Sequence, residues 1–278
     1  MAIRIITDSA SDLAPSTSLT VVPLTVTFGE TSYLDGVDLS AHRFYELLVE
    51  GDQLPSTSQI NPGTWDEAFR EATAAGDEVV CITLSSKLSG TYQSACIAAE
   101  AYPTVHVVDS LNVTVGEGVL VRRALELAQA GLEADELVDA LDAEKRSIRV
   151  VALLDTLEYL KRGGRVSGGA ALVGTMLSIK PVVAVQDGLV EVIGKARGSK
   201  NGHNLLVREI QNGGGIDVSR PLATGFTGLD DRILRKYIQD AGWLWEDLVS
   251  EVPVYEVGST IGTHAGPGAI AVAFFSQE

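Results

Sequence analysis

The stretch Val79-Val80-Cys81-Ile82-Thr83-Leu84-Ser85-Ser86-Lys87-Leu88-Ser89-Gly90-Thr91-Tyr92-Gln93-Ser94 joins an apolar run to a hydroxyl-rich turn. The apolar, β-branched residues that end at Leu84 are typical of a buried strand. Residues 95–101 favour a helix, so the turn lies between a strand and a helix. In open α/β sheets ligands bind at such a position, and a helix N-terminus suits an anion. A plain helix start with Ser89 as N-cap fits the same residues, and both interpretations stay open here.

Apolar runs alternate with helical segments through the first half of the chain. We predict strands at residues 3–7, 19–28 and 105–108, and helices at residues 41–49, 62–75, 115–130 and 134–146. The Asp35-Gly36 pair after the second strand indicates a hairpin turn. Because strands and helices alternate across short connections, this half predicts a parallel sheet covered on both faces.

The pattern changes after about residue 150. A glycine-rich apolar segment at 168–174 is followed by apolar runs at 179–185 and 189–195 that flank Asp187-Gly188, a strong hairpin signal. A hairpin among helices predicts a mixed sheet. We therefore predict an α/β fold with two domains, an N-terminal parallel-sheet α/β domain over residues 1–150 and a C-terminal mixed-sheet α+β domain over residues 151–278.

Composition excludes several classes of protein. The net charge of −16 over 278 residues argues against general binding to nucleic acid or to anionic membranes. Cys81 and Cys96 have no metal-ligand spacing and are expected to be buried, unpaired thiols. The N-terminus enters a strand pattern without a signal-peptide region, and no apolar run reaches membrane-spanning length. We therefore expect a cytoplasmic protein with no integral membrane segment.

Two further segments carry candidate binding groups. Asn61-Pro62 predicts an N-cap and first turn, which leaves the hydroxyl cluster Ser56-Thr57-Ser58-Gln59 in a loop before that helix. His264 lies in the segment Gly262-Thr263-His264-Ala265-Gly266-Pro267-Gly268, and four glycines are near it in the sequence. We expect a loop there, with glycines that let the backbone approach a ligand and leave the imidazole accessible.

Serine and histidine together also suggest a hydrolase. Ser89 and His264 are the candidate pair, although no serine lies in a Gly-x-Ser-x-Gly elbow and the sequence cannot show an orienting carboxylate. A nucleotide-binding enzyme is disfavoured, because the chain has no Gly-x-x-x-x-Gly-Lys-Ser/Thr loop and no Gly-x-Gly-x-x-Gly after its first strand.

The run Lys161-Arg162-Gly163-Gly164-Arg165 is a basic cluster on an acidic chain. A helix C-terminus explains its first three residues, since cations complement the dipole and glycine ends the helix. Arg165 lies beyond that end and is a candidate for contact with a carboxylate, a phosphate or an acidic partner.

Several ordered motifs resemble those of the DegV family, the fatty-acid-binding proteins that serve bacterial fatty acid kinase. The resemblance covers essentially the whole chain and rests on Thr7-Asp8-Ser9, Ser11-Asp12-Leu13, Thr57-Ser58-Gln59, Ser85-Ser86, Leu88-Ser89-Gly90-Thr91, Asp109-Ser110, Leu157-Glu158-Tyr159-Leu160-Lys161-Arg162-Gly163-Gly164-Arg165, Lys180-Pro181 and Gly262-Thr263-His264-Ala265-Gly266-Pro267-Gly268.

The resemblance implies a fatty acid held in the cleft between two α/β domains. Its carboxylate is expected at Thr57 and Ser89 with His264 nearby, within a site that also includes Ser58, Gly90 and Thr91. Arg165 is expected to dock the ATP-dependent kinase subunit. The implied partners are a long-chain fatty acid, that kinase and an acyltransferase of phospholipid synthesis, with no metal and no cofactor.

Three hypotheses follow from the sequence. The favoured one is a fatty acid carrier that presents the carboxylate to a separate kinase, carries the acyl phosphate and has no catalysis of its own. The second is a stand-alone acyl or phosphoryl hydrolase that uses Ser89 and His264. The third is a binder of a different small anion or lipid.

Overall fold

The structure is a computed structural model that describes residues 2–51, 53–167, 179–245 and 251–277. The glycine-rich segment at 168–174 lies outside the described residues. Elements of the first half, in chain order, are β1 Ile3–Asp8, β2 Leu19–Val22, β3 Thr25–Phe28, β4 Thr31–Leu34, α1 Ala41–Glu50, β5 Ser56–Ser58, α2 Pro62–Thr73, β6 Glu78–Thr83, α3 Thr91–Ala99, β7 Val105–Asp109, α4 Val115–Gln129 and α5 Ala134–Glu144.

The second half continues the same series. Its elements are β8 Ile148–Leu153, α6 Glu158–Gly163, β9 Ile179–Gln186, β10 Leu189–Arg197, α7 Ser199–Asn212, β11 Leu222–Phe226, α8 Arg232–Asp240, α9 Gly242–Trp245, β12 Val254–Glu256, α10 Ser259–Ala265 and β13 Ile270–Phe275. No helix among the described residues is both long and apolar enough to cross a bilayer.

Two main sheets confirm the predicted fold class. The first is parallel, with strand order β2-β1-β6-β7, and the second is mixed, with order β10-β9-β8-β13-β11-β12. The hairpin β9–β10 of the mixed sheet turns at Asp187 and Gly188, which both have positive φ, as an Asp-Gly turn requires. The boundary placed at residue 150 stays a prediction, and Val150 itself lies within β8.

Helix α4 joins the two main sheets. It contacts β1 and β6 of the parallel sheet as well as β8, β11 and β13 of the mixed sheet. Eight of its residues are buried, and one apolar cluster runs from Ile5 and Val80 through α4 to Phe275. The two halves of the chain therefore share a core on one side, and this leaves a cleft on the other.

Two expectations for the N-terminal half are wrong. Residues 19–28 form two strands in different sheets, since Pro23 between them lacks the backbone N–H that a continuous ladder needs. The hairpin β3–β4 turns at Gly29, whose φ is +59°, and not at Asp35-Gly36. Strand β5 completes a third small sheet of order β4-β3-β5.

Candidate ligand-binding site

A cavity of about 410 Å³ lies between the two main sheets. Segments that follow β2, β6 and β7 form one wall, and β8 with β9 form the other. Most of the lining is apolar, as at Leu88, Leu154, Val183 and Val190. The polar lining residues are Thr57, Ser58, Gln59, Ser89, Thr114, Arg165, Thr260 and His264. Direct contacts group Thr57 with His264 and Arg165 with the segment that carries Ser89, and this group forms the polar end of the cavity.

Thr57 and His264 are joined directly. Thr57 Oγ1 lies 2.9 Å from His264 Nε2, although the two residues are 207 positions apart. Sequence reasoning placed both in loops, and both placements are wrong. Thr57 belongs to strand β5, where it pairs with Val26, and His264 belongs to helix α10. Pairing with a distant strand overrides the weak local signal of a Ser-Thr-Ser segment.

Two carboxyl groups bind the backbone N–H groups at the start of helix α10. Asp12 accepts the N–H of Gly258 at 2.8 Å, while Asp35 accepts the N–H groups of Ser259 at 2.9 Å and Thr260 at 3.2 Å. Burial raises the pKa of Asp12 to about 8. These two residues fix the helix that carries the histidine. Sequence analysis missed this role because a cap supplied from more than 200 residues away leaves no local pattern.

The glycines near His264 make room for protein side chains. A Cβ at Gly262 would lie 2.6 Å from a ring carbon of Phe44, and one at Gly266 would lie 2.2 Å from the ring of Tyr159. Gly262 therefore lets α10 pack against α1, and Gly266 ends α10 with a φ of +71°. The expectation that these glycines bring backbone close to a ligand is wrong for both.

The turn before α3 contributes the second hydroxyl. The N-cap of α3 is Gly90, not Ser89, but Ser89 Oγ still accepts the N–H of Thr91 at 3.3 Å. Ser89 Oγ also lies 2.9 Å from Thr91 Oγ1. Ser89 lines the cavity, whereas Thr91 is fully buried behind it and accepts the N–H of Ile60. Thr91 thus orients Ser89 from outside the cavity wall.

Gly90 allows two segments of the site to touch. A Cβ at this position would lie 2.0 Å from Oε1 of Gln59, whose amide nitrogen donates to Ser94 Oγ at 3.0 Å. The segment after β5 is therefore fastened to the first turns of α3. This close approach places Thr57 and Ser89 on the same end of the cavity.

His264 is largely buried and uncharged at neutral pH. Burial, together with the positive charge of Arg165, lowers its pKa to about 4. Its Nδ1 faces Gly163, where a Cβ would lie 2.2 Å away, and has no hydrogen-bond partner. The expectation of a freely accessible imidazole is therefore wrong, although the ring lines the cavity.

Arg165 lies in the cavity wall and is half-buried. It follows α6, which ends at Gly164 in the left-handed region with a φ of +67°. Its Nε donates to the carbonyl of Leu88 at 3.1 Å, and its Nη1 donates to the carbonyl of Gly163. The guanidinium thereby connects the α6 end to the segment that carries Ser89, and it is the cation of the polar end.

The hydrolase pair is not assembled in this geometry. His264 Nε2 bonds to Thr57, while the hydroxyl of Ser89 bonds to Thr91, and no carboxyl group orients Nδ1. Across the described parts of the chain, no group of three or more His, Cys, Asp or Glu side chains is arranged to hold a metal ion. Cys81 and Cys96 are free thiols, the first of them buried.

Comparison with known proteins identifies the family. The model of the DegV family, described as "Uncharacterised protein, DegV family", matches residues 2–277. This chain belongs to the DegV family. A DegV domain-containing protein of Caldanaerobacter subterraneus subsp. tengcongensis is 37% identical over an alignment of 287 residues that covers 99% of each chain.

Solved structures of similar proteins have the same fold. The chain matches a DegV family protein from Thermus thermophilus, described by its fatty acid binding, with a TM-score of 0.88 and 33% identity over 99% of this chain and 100% of that one. It also matches a stearic-acid-binding protein of Eubacterium ventriosum with a TM-score of 0.84 and 26% identity, covering 98% and 97% of the two chains.

Proposed function

We propose that this protein binds a long-chain fatty acid and presents its carboxylate to a separate ATP-dependent kinase in the cytoplasm. One observation carries the proposal: a largely apolar cavity is also lined by hydroxyl, imidazole and guanidinium groups that contact one another or the segments that carry them. That combination matches an amphiphile with one anionic end. DegV relatives described as fatty-acid-binding proteins support it.

The apolar part of the cavity supplies most of the affinity. Each methylene taken out of water contributes about 0.8 kcal/mol, so an acyl tail gains binding free energy along its whole length. The walls at Leu88, Leu154, Val183 and Val190 carry no charge that the tail would have to desolvate.

The polar end orients the carboxylate through two supported hydroxyls. In the tautomer of neutral His264 that carries its proton on Nε2, Nε2–H donates to Thr57 Oγ1 and leaves the threonine proton free for the ligand. Ser89 Oγ lies 2.9 Å from Thr91 Oγ1, and when Thr91 is the donor of this bond the serine proton is free in the same way. Each hydroxyl is thus held by a neighbour while its own O–H points at the carboxylate.

This environment leaves the carboxylate reactive. Two neutral hydroxyl donors stabilise the anion without taking both lone pairs of either oxygen, so one oxygen stays open to phosphoryl transfer. Arg165 lies at the same end, and we propose that the kinase docks on this residue. The acyl phosphate would then leave for an acyltransferase of phospholipid synthesis, with the chemistry supplied by the partners and not by this chain.

The test uses protein stripped of lipid by denaturing extraction and refolded. We expect it to bind a long-chain saturated fatty acid, and to support acyl phosphate formation only when ATP and a fatty acid kinase are also present. Failure to bind any fatty acid would refute the proposal. Repeated turnover of acyl esters or acyl phosphates by the protein alone, lost in His264→Ala, would favour the hydrolase instead.

A further inference from the structure

The cavity of about 410 Å³ is called the acyl cavity below. A second cavity, of about 530 Å³, adjoins it. The two cavities share three lining residues, Val150, Ala184 and Val185. Val150 on β8 lies directly opposite Val185 on β9, and the register between these strands runs from that pair to Leu153 and Val182. The shared residues therefore form a wall where the paired part of β8 and β9 ends.

The wall lies opposite the polar end. Leu154, just after β8, packs in one cluster with Leu88, which directly precedes Ser89. Val150 is four residues further back along the same strand, about 13 Å away at 3.3 Å per residue. An acyl chain that starts at Ser89, passes Leu154 and follows β8 thus runs towards Val150 and Val185.

One side of the wall is rigidly held. A Cβ at Gly116 would lie 2.3 Å from Cγ2 of Val150, so the first turn of α4 packs tightly against this valine. Val150 is buried, while Val185 is half-buried with its side chain next to the cavities. Val150 has no space to move aside for a longer chain, and Val185 is the adjustable side of the wall.

The space behind the wall is chemically different. Lys145, Arg146, Arg149 and Glu209 line it together with apolar residues such as Ile193. Arg149 donates to the carbonyls of Arg146 and Ile148, and Arg146 pairs with Asp187 at 3.2 Å. Methylenes that enter this space gain less free energy than methylenes in the acyl cavity, because charged and polar side chains line it.

We propose that Val150 and Val185 set the longest acyl chain that this protein binds well, by closing the acyl cavity against the polar cavity behind it. The inference rests on the proposed fatty acid binding and deepens it, since it names the residues that select the ligand by length. Chains that reach the wall are favoured, and longer ones must bend or displace it.

The experiment measures dissociation constants for a series of saturated fatty acids of increasing length with Val185→Ala. Removing two methyl groups opens space for the chain end, and we expect the best-bound length to increase, with affinity for the next longer acids rising about fourfold per accommodated methylene. Val185→Leu should shift the optimum to shorter chains. The two variants act in opposite directions, so general loosening of the fold cannot imitate both.

Val183→Ala is the matched control. Val183 is on the same strand and the same face, two residues from Val185, and lines only the acyl cavity. It should change affinities without moving the best-bound length. An unchanged optimum in both Val185 variants, or the same shift in Val183→Ala as in Val185→Ala, would overturn the inference. Wild-type protein that binds no fatty acid would instead refute the proposed function.

Discussion

The two ends of the acyl cavity are built in different ways. The polar end is assembled from β5, the turn before α3, the segment after α6 and helix α10, and each group is positioned by contacts across the sequence. The apolar end lies on β8 and β9, two adjacent strands with continuous pairing. In the proposed fatty acid carrier this difference separates two tasks: the strands would provide affinity for the tail, and the assembled end would provide orientation and reactivity for the carboxylate.

The largest effect is expected from filling the apolar end. Ala152 lies on β8, lines the acyl cavity and is half-buried. Ala152→Phe would occupy the path of the tail and remove at least four methylenes from burial, a loss of about 3 kcal/mol or roughly a hundredfold in affinity. Titration of fatty acid into stripped protein measures it. A variant with an unchanged melting temperature and wild-type affinity would show that the tail lies elsewhere.

At the polar end, the buried imidazole makes stability depend on pH. The pKa of His264 is about 4 in the folded protein, compared with 6.5 for an unperturbed histidine. As pH falls from 6.5 to 4, the unfolded chain takes up a proton at His264 that the folded chain does not. The contribution of His264 to the free energy of unfolding therefore decreases, by on the order of 3 kcal/mol in total. Denaturant unfolding at a series of pH values measures this slope.

The control for that slope is His264→Asn, which has no titratable group at the position. The difference in unfolding free energy between wild type and variant should shrink as the solution is acidified below pH 6.5. Bound fatty acid should weaken the wild-type slope, because a nearby carboxylate favours the protonated imidazole. A constant difference at every pH would mean that His264 is not held neutral by burial.

Smaller effects are expected from the hydroxyls. Thr57→Val and Ser89→Ala each remove one hydrogen bond to the carboxylate, worth about 1.5–3 kcal/mol, while the buried tail keeps the ligand bound. Phosphorylation by the kinase should fall more than binding, because a misoriented carboxylate still binds but does not react. Loss of all binding in a variant that remains folded would show that the carboxylate site is assigned incorrectly.

The smallest effect on lipid binding is expected from Arg165→Ala. This variant should lower fatty acid affinity less than the hydroxyl variants do, because Nε and Nη1 of Arg165 already donate to the carbonyls of Leu88 and Gly163. It should weaken association with the kinase by on the order of 2 kcal/mol. Its bonds to the carbonyls of Leu88 and Gly163 define the competing structural role. A large drop in melting temperature would establish that role and remove the docking assignment.

Local patterns were enough to predict one part of this molecule. The buried strand at Glu78–Thr83, the Asp187-Gly188 hairpin and the Asn61 cap of α2 all follow from hydrophobic runs, turn chemistry and capping, which act over a few residues. The cavity wall brings together Thr57, Ser58, Ser89, Gly90, His264 and Arg165, whereas Thr91 lies buried behind it. That these residues bind a carboxylate stays a prediction.

Long-range contacts decide the rest. Helix α10 contains Gly262 and forms because Asp12 and Asp35 bind its first N–H groups and because α1 packs against it. Strand β5 forms because β3 lies beside it. Neither partner is near in sequence, so local propensity favoured loops at both places. The strand and helix that hold Thr57 and His264 were therefore the elements that sequence alone missed.

Native mass spectrometry of protein purified from cells tests the proposed fatty acid binding most directly. We expect the wild-type protein to carry one additional mass that denaturing extraction identifies as a long-chain fatty acid, and we expect Ala152→Phe to lack it. Wild-type protein without bound lipid that also fails to take up added fatty acid would contradict the central claim. A different small anion bound in the cavity would support anion binding at the polar end and would refute fatty acid binding.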